Sequence, residues 1–145
     1  MPVSTLWTRP ARVLVDRAAP DLPGLWSLLY AAQRGALRLA LDTRADGDLS
    51  LTLAAMDLGE ALEELEWNHP DLAGGAVALD LGPIPVGATD DCLCAVGELL
   101  AGALTRSAGV LRDPSNDLAT GDVLCLARVV HLLSSALGRL GNRRT

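Results

Sequence analysis

Cys92 and Cys94, with Cys125, His69 and His131 elsewhere, are the soft metal-ligand types this sequence offers. Their spacing argues against a metal. A structural zinc site uses tighter pairs such as Cys-x2-Cys, and two cysteines two apart on a helix point away from each other. Three is an odd number of cysteines in a chain whose start, MPVSTLWTRPARVLVDR, lacks the basic and apolar runs of a signal peptide. The expectation is three reduced thiols, no metal, no cofactor and a cytoplasmic protein.

Glu66-Trp67-Asn68-His69 has the Glu-x-x-His spacing of di-iron carboxylate bundles. Such sites need two of these motifs and a Glu from each of two further helices. Here Arg128 stands three before His131, and Glu98 is the only acid inside the helical segment 90–111 beyond its first turn. The stretch DTRADGDLSLTL, 42–53, echoes a calcium-binding loop with Gly47 at the sixth place, but Arg44 fills the third and Leu53 the twelfth, where a carboxylate is needed. His131 and Ser134, three apart, have neither an orienting acid nor a Gly-x-Ser-x-Gly turn beside them. No catalytic residue is therefore assigned. What remains is a candidate ligand site of Trp26, Tyr30, Arg128 and His131: two aromatic rings one turn apart, a guanidinium able to take a carboxylate or phosphate, and an imidazole.

All twelve basic residues are arginine, which excludes a Walker-type phosphate loop and a Schiff-base lysine. A net charge of −6 argues against duplex nucleic acid, whose binding needs a basic surface. The longest uncharged stretch, 22–33, has twelve residues, short of the roughly 20 that span a bilayer, so no membrane segment is expected.

The elements that must position these residues are helices. In the C-terminal run 117–140, Val123, Leu124, Ala127, Val130, Leu133, Leu137 and Leu140 recur at three- and four-residue steps, while Leu126, Val129 and Leu132 lie off that stripe. A helix apolar over more than one face needs cover over more than one face. Asp21 and Pro23 open a second amphipathic helix carrying Leu25, Trp26, Leu29, Ala32 and Ala36. A third, from Ser50, turns Leu51, Ala55, Leu58, Leu62 and Leu65 inward. Thr89, Asp90 and Asp91 start a fourth, the cap and acidic first turn suiting the positive end of its dipole. Residues 1–20 read either as a short helix opened by Thr8 and Pro10 or as a strand over 12–16. The Gly/Pro-rich segment 69–88 supplies either one short strand through Val77, Leu79 and Leu81 or a lid.

The expected architecture is a single all-α domain, 1–145: an up-and-down four-helix bundle of 22–42, 50–68, 90–111 and 118–140, with an N-terminal extension and a Gly/Pro-rich crossover. The alternative is α+β. Leucines alternate with period two on both sides of Asp46-Gly47, which is how a hairpin over 37–53 is written. Between Cys92 and Leu104 the only charge is Glu98, and between Val123 and Leu137 it is Arg128. These charge-poor faces predict a homodimer and a non-enzymatic module that binds a protein partner. The competing expectation is a small-molecule or enzymatic bundle with a cavity between its helices.

Overall fold

The computed structural model describes residues 6–43, 49–113 and 118–144. Five α-helices, α1 (Thr8–Arg17), α2 (Leu22–Thr43), α3 (Ser50–Asn68), α4 (Thr89–Arg112) and α5 (Thr120–Arg144), and one 3-10 turn at Leu72–Gly75 make up its regular structure. The protein is all-helical. No strand occurs among the described residues, so 37–43 and 50–53 are helix rather than hairpin arms, and 69–88 contains no strand. The turns expected at 43–48 and 113–116 lie largely outside the described residues.

The alternation that resembled a hairpin has a helical origin. Leu37 and Leu41 are one turn apart and exposed, while Leu39, between them, is fully buried; Leu51 is likewise buried between the exposed Leu49 and Leu53. On a helix, residues two apart face nearly opposite sides, so every second leucine serves the core. The others are left in solvent.

Helix α3 packs against α2 and α5, and α4 packs against α1, α2 and α5; among the described residues α2 and α5 are not adjacent, nor are α3 and α4. Helices α3 and α5 run antiparallel, with Asp57 beside Ser135 and Arg139, Glu64 beside Cys125, and His69 beside Asp122. The Arg139 guanidinium meets Asp57 at 2.8 Å in a largely shielded pair.

The best-covered helix is α2. It touches α1, α3, α4 and the 3-10 turn, and between Gly24 and Leu29 every residue is buried. Small residues, Gly35, Ala31, Ala32 and Ala36, let neighbours approach on several sides. Its start follows from sequence: Asp21 accepts the N–H of Gly24 at 2.9 Å, a side-chain cap.

The phase of α5 differs from the sequence expectation. Its buried residues are Cys125, Leu126, Val129, Leu132, Leu133, Ala136 and Leu140, whereas Val123, Leu124 and Ala127 face out. In a helix apolar nearly all round, the polar groups set the direction. Arg128, His131 and Ser134 turn to solvent and take their neighbours with them.

Helix α1 resolves the ambiguity of the N-terminus and covers α4. Asp91, in the first turn of α4, accepts the backbone N–H of Trp7 at 3.0 Å and of Thr8 at 3.4 Å, and its carboxylate also takes the Thr8 hydroxyl. It therefore caps α1, while α4 starts after Ala88 without a side-chain cap. At the other end Arg106 donates to the carbonyl oxygens of Val15 at 2.6 Å and Ala18 at 3.1 Å. An anion at the N-terminus and a cation at the C-terminus satisfy orphan backbone groups and oppose the dipole of α1. Between them Arg12 pairs with Glu98, and Val15 lies where a Cβ on Gly102 would come within 3.2 Å. Helix α1 thus covers the side of α4 that carries Asp91, Glu98 and Arg106, while Ala101 and Thr105 on the uncharged side stay exposed.

The segment 69–88 is a strap laid along α2. Its Val77 N–H is held by the buried hydroxyl of Ser27, which in turn donates to the Pro23 carbonyl. Asp80 takes a two-pronged contact from Arg38, and this guanidinium holds the Asp80 carboxyl below its ordinary range. Trp7 donates its indole N–H to the Pro83 carbonyl.

Candidate functional site

The four residues of the candidate ligand site are divided between two helices that are not adjacent among the described residues. Trp26 and Tyr30 on α2 stack with ring centroids 4.9 Å apart, Arg34 lies 5.2 Å over the Tyr30 ring, and the Trp26 indole donates to Glu66 at 3.0 Å. Arg128 and His131 are on the exposed side of α5, where Arg128 reaches Glu60 of α3 at 3.5 Å. With both partners more than half exposed, that pair adds little stability.

The two halves of the Glu-x-x-His motif part in the same way. Glu66 serves Trp26, and His69 contacts Asp122 at 2.8 Å. Among the described residues no group of three His, Cys, Asp or Glu side chains is placed to hold a metal ion. The calcium-loop echo falls largely outside the described residues.

The cysteines are free; Cys92 and Cys125 are buried, and Cys94 is partly exposed. Burial pushes both buried thiols up to about 11, with Asp91 and Asp42 adding to it at Cys92, and Glu64 and Asp122 at Cys125. Neither is poised as a nucleophile. A thiol pKa above its unfolded value of 9.0 gives stability that is complete below that value and is lost as pH rises towards 11. The urea midpoint should therefore hold steady up to pH 9 and fall above it. A Cys92→Ala/Cys125→Ala variant should show a shallower fall, and an equal fall in both proteins would remove the thiols as its cause.

The surface feature that sequence reasoning missed is an open groove of about 440 Å³ between α2 and α3. Ala40, Ala55 and Gly59 are the small residues lining it, Leu37, Leu41 and Met56 the large apolar ones, and Glu60 and Glu63 its only charged residues. Leu41 and Met56 are more than half exposed. The signal was present as the outward members of the alternating leucines, which the hairpin pattern disguised. Two other depressions are more polar: one of about 490 Å³ under the strap at Arg38, Asp42 and Ile84, and one of about 360 Å³ beside the Arg12–Glu98 pair.

Helices α4 and α5 each contain an 18-residue window, of mean hydropathy 1.3 and 1.5, long and apolar enough to cross a membrane. The core helix of a bundle meets the same criterion, and 44% and 39% of these windows are buried within the fold.

The chain matches no family model, and comparison with curated proteins and with solved structures gives no match.

Proposed function

We propose that this chain is a non-enzymatic helical interaction module of the cytoplasm, which binds a protein partner and self-associates as a homodimer. In this reading its four long helices form an up-and-down bundle, with α1 as the N-terminal extension and the strap as the crossover.

The outward face of α5 carries the proposal. Leu124 is 66% exposed and Val123 43%, and Ala127, Ser134 and Gly138 follow on the same side. Asp122 is the only acid of the helix, so two such faces meet without opposing carboxylates. Small side chains let a second α5 come close across a two-fold axis. Helix α1 lies over part of α4, whereas the only helices beside α5 among the described residues are α3 and α4.

Light scattering on a sizing column tests this. Twice the 15.1 kDa of one chain is expected at micromolar concentration, falling to the monomer mass in a Leu124→Glu variant. A wild-type mass of 15.1 kDa overturns the homodimer. Retention of the purified protein on phosphatidylcholine vesicles would assign the same face to lipid and overturn the cytoplasmic reading.

A further inference from the structure

We infer that the groove between α2 and α3 is the docking site for an amphipathic helix of a partner protein, one with leucine- or methionine-type side chains along one stripe and lysine or arginine beside it. The inference rests on the reading of the chain as a protein-binding module and names the chemistry of its partner.

Shape comes first. The lining runs from Gln33 to Leu41 on α2 and from Thr52 to Glu63 on α3. That is eight residue steps, about 12 Å, on α2 and eleven, about 16 Å, on α3, two to three turns, the length over which a docked helix presents anchors at i, i+3 or i+4, and i+7. Small residues at Ala40, Ala55 and Gly59 leave room between the helices, and Leu37, Leu41 and Met56 give apolar contact on both sides. A groove of this form accepts side chains from above. It does not enclose a small molecule.

Charge then selects the occupant. Helix α3 has five carboxylates, Asp57, Glu60, Glu63, Glu64 and Glu66, and no basic residue. Four of the five lie in the C-terminal half, where the helix dipole is already negative, so the helix is locally worse for having them. Part of this is answered within the fold: Asp57 by Arg139, Glu60 by the exposed Arg128, and Glu66 by the Trp26 indole. Glu63 has no ion pair among the described residues, and it lines the groove. A local rule broken without internal compensation points to a binding surface. The compensating charge is positive. A second copy seated here would bring its own acidic α3 and another net −6, which disfavours it as occupant.

Two synthetic peptides about four turns long test the assignment against the full-length protein. Both carry leucine at three- and four-residue steps; one has lysine on the flanking positions and its twin has glutamate. In fluorescence anisotropy the lysine peptide should bind about tenfold more tightly than its twin, with affinity falling as salt is raised. Met56→Gln should weaken it about tenfold, and Glu60→Gln/Glu63→Gln should weaken it and flatten the salt dependence. Met56 and Glu60 are more than half exposed and Glu63 is exposed, so these variants keep the fold. Val86→Gln, at a fully exposed position on the strap outside the groove, should leave peptide binding unchanged. Equal binding of the two peptides overturns the charge assignment. Binding indifferent to Met56→Gln, or lost in Val86→Gln, overturns the groove. A dimer that Met56→Gln converts to 15.1 kDa shows a second copy in the groove and overturns the partner helix. Because the α5 homodimer is read from the Leu124→Glu mass, failure of the groove and failure of self-association are told apart.

Discussion

Replacing Trp7 with alanine is expected to destabilise the protein by about 3–5 kcal/mol, lowering its melting temperature by roughly 10 °C. Trp7 is fully buried, and its six-membered ring packs where a Cβ on Gly35 would come within 3.2 Å. Its backbone N–H is held by Asp91 of α4, and its indole N–H by the Pro83 carbonyl of the strap. One residue thus joins α1, α2, α4 and the strap, its side chain against α2 and the strap and its backbone at α4. Removing it leaves a cavity and an unpaired carbonyl together, and neither α1 nor the strap has another large aromatic to fill the space. Trp7→Phe keeps most of the volume and loses the indole donor, so it should cost about 1–2 kcal/mol. Trp67 is the control: it is 88% exposed, and Trp67→Ala should change stability by less than about 0.5 kcal/mol. Urea unfolding of the three variants checks this. A Trp7→Ala cost no larger than that of Trp67→Ala would mean that α1 does not hold the fold together.

Trp7 also marks where the sequence could be read and where it could not. Three of the four long helices were legible to within a residue, because proline, glycine and Asp21 punctuate a strong helical period; α3 begins and ends at Ser50 and Asn68 as expected, while α5 starts two residues later and ends four residues later than 118–140. Burial was harder. Hydropathy made α5 look central, yet its only adjacent helices among the described residues are α3 and α4, while α2, with two arginines on it, is covered by four elements. Glycine and alanine score low on an apolar scale, but they permit close approach, and close approach decides how many neighbours a helix can have. The role of Asp91 was hidden for a related reason. An acid in a first turn reads as stabilising its own helix, and only the three-dimensional arrangement shows the carboxylate turned to the start of α1, 83 and 84 residues away.

The candidate site was less legible than the fold. Trp26, Tyr30, Arg128 and His131 were grouped by chemical type, since sequence spacing carries no information on which helices adjoin. The contacts place α2 and α5 as non-adjacent helices and pair Arg128 with Glu60 instead. The groove needed the opposite inference, from apolar residues in places a core does not use. Leu37, Leu41 and Met56 show it only once the inward set, Leu39, Ala55 and Leu58, has been fixed.

Gly24→Ala should lower stability by about 2–4 kcal/mol, although glycine to alanine within a helix ordinarily gains up to about 1 kcal/mol. The reason is a single contact. A Cβ built on Gly24 would stand 1.9 Å from the carbonyl oxygen of Ala19 and 2.8 Å from that residue's backbone N and carbonyl carbon. Those atoms are backbone, so relief needs the link between α1 and α2 to move. That link is constrained on both sides. The Asp21 carboxylate already caps the Gly24 N–H, and the neighbouring Ala18 carbonyl is held by Arg106 of α4. Pushing Ala19 away therefore pulls on the Arg106 contact that fixes the C-terminal end of α1, and the damage should reach Trp7 at the other end. Gly59→Ala supplies the sign control, because nothing lies within 4 Å of a Cβ there and α3 should gain the ordinary helical preference. Thermal unfolding should move the two variants in opposite directions, and proteolysis of Gly24→Ala should cut first within 6–21. If Gly24→Ala melts at or above the wild-type temperature, the close packing of α2 against the α1–α2 link is wrong, and with it the account of how α1 is held.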